Sequence, residues 1–145
     1  MGGSSAFGGL FLGGRILVGG YYLLSAFHHF SDTSTLARHA GAAGVPFPTA
    51  AVLVAGVLLL VAGLTFLLGV YPDAGVGALV LFLVPVTVMM HAFWADHSPA
   101  TRQMDIINFS KNVGLLGSSL MFLAIPRPWP YSLERRARLP VRAPV

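Results

Sequence analysis

"TAAVLVAGVLLLVAGLTFLLGV", residues 49–70, runs without one charged side chain. As a helix rising 1.5 Å per residue it would be about 33 Å long, enough to cross a hydrocarbon core of about 30 Å. Lipid offers no partner for an open backbone N–H or C=O, so only a helix or a closed barrel spans it. A barrel strand alternates polar and apolar residues, and nothing here alternates. Residues 49–70 are therefore read as a transmembrane helix.

Three further stretches have the same character: 9–30, 74–94 and 106–125, each about 20 residues long. From residue 40 to residue 90 the only Asp, Glu, Lys, Arg or His is Asp73. The whole chain is 55% hydrophobic and 10% charged, with a mean hydropathy of +0.75. Soluble domains carry about 25% charged residues, so the solvent implied is lipid. The fold expected is all-α, an integral membrane bundle of four transmembrane helices. One domain, 9–125, would hold all four spans, preceded by a short N-terminal segment, 1–8, and followed by a Pro/Arg-rich tail, 126–145. No cleavable signal peptide is expected, because "MGGSSAFGG" lacks a basic opening.

The absence of cysteine removes disulfides, thiolate metal sites and Cys nucleophiles. The net charge of +4 does not point to nucleic acid, because five of the nine basic residues follow Ile125. A basic tail after a last apolar span reads as a cytoplasmic anchor. Four spans put both termini on one side, so both are expected in the cytoplasm. The linkers at 31–48 and 95–105 then face outward, and the membrane is expected to be the plasma (inner) membrane of a prokaryote.

The short "VYPDAG" link makes the second and third spans antiparallel neighbours. In the 31–48 linker, the prolines of "GVPFP" are expected to stop any helix. The alternating prolines of "PRPWP" predict an extended, loosely ordered tail. Pro85, mid-span, deprives the Leu81 carbonyl of its usual donor and could bend the helix below His91. Gly9 with Gly13, Gly14 and Gly20, Gly56 with Gly63, and Gly114 with Ser118 form small-residue surfaces. Packing inside the bundle is the expected use, with a homo-oligomer as the alternative.

Against this apolar background, "HAFWADHSPATRQMDIINFSKN", residues 91–112, gathers polar groups. Asn108, Lys111 and Asn112 are three and four apart and share a helix face. Lys111 either snorkels to the interface or turns into the bundle, steered by the two amides towards a ligand oxygen or carboxylate. Two amides facing lipid gain nothing, so the inward reading is the expectation. His91 could be a hydrogen-bonded structural group, a proton exchanger or a metal ligand. Trp94 sits where an interfacial belt residue belongs. In "FHHFSD", His28 and Asp32 are four apart and could pair, while His28 or His29 could join His91 across the bundle. The adjacent histidines point about 100° apart, and no motif such as HExxH is present, so no metal site is expected. Arg15 is expected to snorkel, or else to pair with Asp73 near the "YPDAG" turn. The candidate ligand-binding residues are thus His28, His91, Trp94, Asn108, Lys111 and Asn112, with no catalytic role assigned.

The chain resembles the DoxX family of small four-helix membrane proteins. The likeness rests on "HAFW" closing the third span, followed by "NFSKNVGLLGSSLMF", on "GGRILVGGYYLLSAFHHF" with its first-span Arg, and on "GLTFLLGVYPDAGVGALV". It covers about residues 10 to 125. Two departures stand out: the acidic residue common in the family's second span is replaced near Leu59, and "SAFHHF" stands where a lysine pattern is common. The resemblance implies a redox-associated membrane subunit, as in thiosulfate:quinone oxidoreductase, with quinone as its cofactor. Under that reading His91 would meet a quinone oxygen and Lys111 would stabilise negative charge, while the two asparagines orient them. A flavin or iron–sulfur centre would come from other membrane or redox subunits, since the chain has neither thiolates nor a nucleotide loop. The alternative is a non-catalytic scaffold or assembly subunit whose tail binds a partner or anionic lipid. Transport is a third reading, but four spans without a repeat are few for it.

Overall fold

The computed structural model describes residues 3–96 and 98–137. Within them lie six α-helices: α1 (Gly3–Ser31), α2 (Thr33–Ala42), α3 (Pro48–Leu68), α4 (Pro72–Met90), α5 (Pro99–Met121) and α6 (Leu133–Ala137). A 3₁₀ turn, Phe122–Ala124, extends α5. Four stretches are long and apolar enough to cross a membrane: Ala6–Ser31, Pro48–Leu68, Pro72–Met90 and Pro99–Ala124. The four-span reading holds, with every boundary moved.

The boundaries have local causes. Pro48, Pro72 and Pro99 each occupy the opening turn of a helix, where a missing N–H costs nothing. Phe47 and Tyr71 precede two of these prolines and turn the chain with φ of 48° and 46°. The third span stops at Met90, so His91 and Trp94 lie in a loop, and the fourth starts at Pro99 rather than near Ile106. The short leader expected at 1–8 is, from Gly3 onward, the first part of α1.

Helix α2 corrects the reading of the first linker. The prolines of "GVPFP" all follow it, so they limit its end without preventing its formation. It buries Ala37 and Ala40 against Val52 of α3, and α1 bends into it at Asp32. α1 packs on α3, α3 on α4, and α4 on α5, giving a curved row whose outer members, α1 and α5, face each other across a cleft. The centre of the row is Tyr22, Leu59, Ala62, Phe66, Leu79 and Leu83. Even the best-enclosed spans bury only 33% of their apolar window, which suits lipid on every outer face. A Cβ on Gly63 would come within 2.8 Å of Leu23, so this glycine sets the α1–α3 approach. Gly9, Gly13, Gly14, Gly20 and Gly114 have open space around them and are not used inside the bundle.

One end of the row carries the start of α1 and the segment that follows α5; the other carries His29 and His91 and is called the histidine end below. The terminal end is closed by the segment expected to be a loose tail. Trp129 is 0% exposed, with its ring against Phe11, Phe66 and Phe122. Arg15, 1% exposed, neither snorkels nor meets Asp73. Its Nε donates to the Phe66 carbonyl at 2.9 Å, Nη2 to Leu67 at 2.8 Å and Nη1 to Pro130 at 2.8 Å. The last carbonyls of α3 have no intrahelical donors and carry the negative end of the helix dipole, so a guanidinium satisfies both needs. Asp73 pairs instead with Arg127. Residues 126–132 are thus part of the packed domain; Arg138 and Arg142 lie outside the described residues.

Candidate functional site

The last turn of α1, together with α2, α3 and α4, surrounds a cavity of about 360 Å³ at the histidine end. Leu36 and Ala40 of α2, Val52, Ala55 and Leu58 of α3, and Phe82, Pro85 and Met89 of α4 contribute to a wall that is apolar throughout except for two imidazoles, His29 and His91. α2 is what makes this a cavity, since it roofs the groove between α3 and α4.

Both imidazoles are held through the same nitrogen. His29 Nδ1 lies 2.8 Å from the Ser25 carbonyl, one turn back on α1. A carbonyl only accepts, so Nδ1 carries the proton and donates it. His91 Nδ1 lies 3.1 Å from Asp105 Oδ1, with the two side chains 22% and 20% exposed. A carboxylate again accepts, which fixes the proton on Nδ1 and leaves Nε2 as the nitrogen for exchange. Among the described residues neither Nε2 has a hydrogen-bond partner. His29 also packs edge-on against Phe82, with ring centroids 5.9 Å apart. The Asp105 carboxylate would stabilise an imidazolium at His91, as carboxylates do for proton-shuttling histidines. The arrangement can therefore hold an apolar ring, offer it two fixed nitrogens and move a proton through one of them.

The other candidates lie elsewhere. His28 is exposed, and its side chain forms no bond to Asp32. Trp94 is 57% exposed and packs with Phe93 and Phe109, tying the loop after α4 onto α5. Lys111 is exposed, and its Nζ donates to Asn108 Oδ1 at 3.0 Å. Asn112 is 7% exposed, so the amide–lysine–amide face splits into an outer part and a buried one. Lys111 borders a separate cleft between α1 and α5 and does not reach the His91 cavity. His97 lies outside the described residues. Among those described, no group of three His, Asp or Glu converges in a way that could hold a metal ion.

The sequence offers His29 beside His28 without choosing it, and nothing in the sequence pairs Asp105 with His91. The available signal was the small pair Ala37 and Ala40, three apart, which marks a helix face that needs a partner.

The DoxX family model matches residues 10–92, more than half of the chain. The match ends just after His91, so the fourth-span part of the resemblance lies beyond it. No curated protein matches, and no solved structure does.

Proposed function

Because the chain belongs to the DoxX family, we propose that it is a redox-associated subunit of a prokaryotic plasma membrane, receiving a quinone ring at the histidine end. The observation that carries this reading is the apolar cavity of about 360 Å³ whose polar groups are His29 and His91. Small-molecule sites are mostly apolar with a few placed polar groups, and a quinone needs an apolar slot and partners for its oxygens. These residues fit it. A bound quinone supplies two-electron, two-proton redox chemistry. With the ring in its reduced, quinol form, His91 would accept a hydroxyl proton at Nε2 while Asp105 holds Nδ1, and His29 would accept a hydrogen bond from the second hydroxyl at its own Nε2. The wall from α3 and α4 gives both imidazoles an apolar face. The electrons of that chemistry would be exchanged with another redox subunit, and both termini of this chain lie in the cytoplasm.

The test is to purify the protein in mild detergent with its native lipids and measure bound quinone by mass spectrometry. Close to one quinone per chain is expected, falling about five-fold in His91→Phe, an effect on the scale of one hydrogen bond. Ala55→Trp, which fills the cavity and leaves both histidines intact, should abolish retention. Undiminished quinone in Ala55→Trp would remove the reading.

A second reading, a scaffold for a larger complex, is favoured by one observation. Gly9, Gly13 and Gly20 leave an unfilled flat strip on α1, which a neighbouring helix could approach closely. Reproducible co-purifying subunits with no bound small molecule would favour it.

A further inference from the structure

The cleft between α1 and α5 is the second feature of the bundle with a shape and a charge of its own. We propose that it binds one anionic phospholipid, with an acyl chain along the cleft and the phosphate at Lys111.

The cleft measures about 370 Å³ and is lined by Leu17, Val18 and Tyr22 on α1, by Lys111 and Leu115 on α5 and by Phe122 just beyond it, among others. It exists because α1 and α5 are the outer members of the row and pack on α3 and α4, not extensively on each other. Lys111 is the one charged residue of its lining. Its bond is to a neutral amide oxygen, on Asn108. The two ion pairs of the described residues, His91–Asp105 and Arg127–Asp73, leave it without a carboxylate. An ammonium facing a membrane interior without a counter-charge is unfavourable, and an anion supplied from outside the chain offsets that.

The layout of the cleft gives the anion a direction. Lys111 lies six residues beyond Asp105, about 9 Å along the helix from the level of His91. Its Nζ reaches back one turn to Asn108, towards the histidine end. The remaining cleft runs the other way, from Lys111 to Phe122, for about 16 Å, and most of its lining surface is apolar. A charged head near one interface with an apolar tail directed at the bilayer interior is the geometry of a phospholipid in the leaflet at the histidine end. A partner helix would have to bring an acid to this depth at a desolvation cost, whereas an anionic lipid carries its charge on a headgroup at the interface.

The experiment is native mass spectrometry of the full-length protein, delipidated in detergent and titrated with dioleoyl phosphatidylglycerol or dioleoyl phosphatidylcholine. The wild type should retain one phosphatidylglycerol about five-fold more readily than phosphatidylcholine, as expected for one basic residue at an anionic headgroup. Lys111→Met, an exposed and size-matched change, should bring the ratio near one. Lys111→Arg should keep the preference, as should Arg102→Gln, a basic residue outside the cleft. Equal binding of the two lipids by the wild type would overturn the proposal, as would a preference that survives in Lys111→Met. So would a bound mass equal to a second copy of the chain that disappears in Lys111→Met.

Discussion

The guanidinium of Arg15 lies over the ring of Trp129, its Cζ 5.7 Å from the centroid, and so joins the first membrane helix to the segment that follows the last. A cation over an indole face gains from the ring quadrupole, most where water is excluded, and here both side chains are fully buried. The same guanidinium donates to three carbonyls on two other segments. One residue thus holds α1, the end of α3 and the C-terminal segment together.

Arg15→Met should therefore destabilise the fold strongly, because it leaves the Phe66, Leu67 and Pro130 carbonyls without donors. The expected cost is about 3 kcal/mol, since hydrogen bonds to charged groups are worth more than neutral ones. Arg15→Lys should recover less than half of it, as one ammonium cannot span three carbonyls in a planar fork. Denaturant unfolding in detergent micelles measures both, and a snorkelling Arg15 would tolerate either change.

Trp129→Ala and a chain ending at Ile125 should each lower the unfolding midpoint. The ring fills the space between Phe11, Phe66 and Phe122, and losing a large buried aromatic costs about 3 kcal/mol or more. A dispensable tail would leave the midpoint of the shortened chain unchanged.

Gly69→Ala should cost about 2 kcal/mol or more. Gly69 ends α3 at φ 68°, and its added Cβ would meet Arg15 Nη2 at 2.5 Å and Ser132 Cβ at 2.6 Å. Gly117→Ala is the contrast, because nothing lies within 4 Å of that position. In mid-helix it should be neutral or stabilise by about 0.5–1 kcal/mol. Equal effects at the two sites would contradict the packing described for Arg15.

Asp105→Asn should weaken the hold on His91 without unfolding the bundle, since an amide replaces the carboxylate that fixes the ring. The amide leaves Nδ1 without a charged acceptor, so the ring loses its fixed tautomer and orientation. The ring-nitrogen NMR shifts of His91 in micelles read the tautomer directly, and an unchanged pattern would show that the 3.1 Å contact carries no weight in solution.

Orientation is testable without background, because the chain has no cysteine. Ser34→Cys, on exposed α2, should react with an impermeant maleimide in intact cells, whereas Arg135→Cys should react only after permeabilisation. The reverse pattern would place the histidine end in the cytoplasm.

The four spans were legible from composition alone, because lipid leaves a backbone no alternative to satisfying its own hydrogen bonds. Residues 49–70 needed no partner to be read as a helix. Arg15 shows where this stops: an arginine inside an apolar run carries the same local signal whether it snorkels or caps a neighbouring helix. Which it does depends on the Phe66 and Leu67 carbonyls of α3 and on Pro130, far along the chain. The adjacent pair His28 and His29 poses the same difficulty, since only the placing of α2 and α4 makes one of them a cavity wall and leaves the other exposed. Lys111 and His91 read as one site because they are near in sequence, yet packing against different neighbours puts them in separate cavities. The sequence by itself determined how many helices cross the membrane and which residues carry charge into it. Tertiary structure alone decided which polar groups meet, because hydrogen bonds and ion pairs act over a few ångströms and depend on how helices distant in sequence are set against one another.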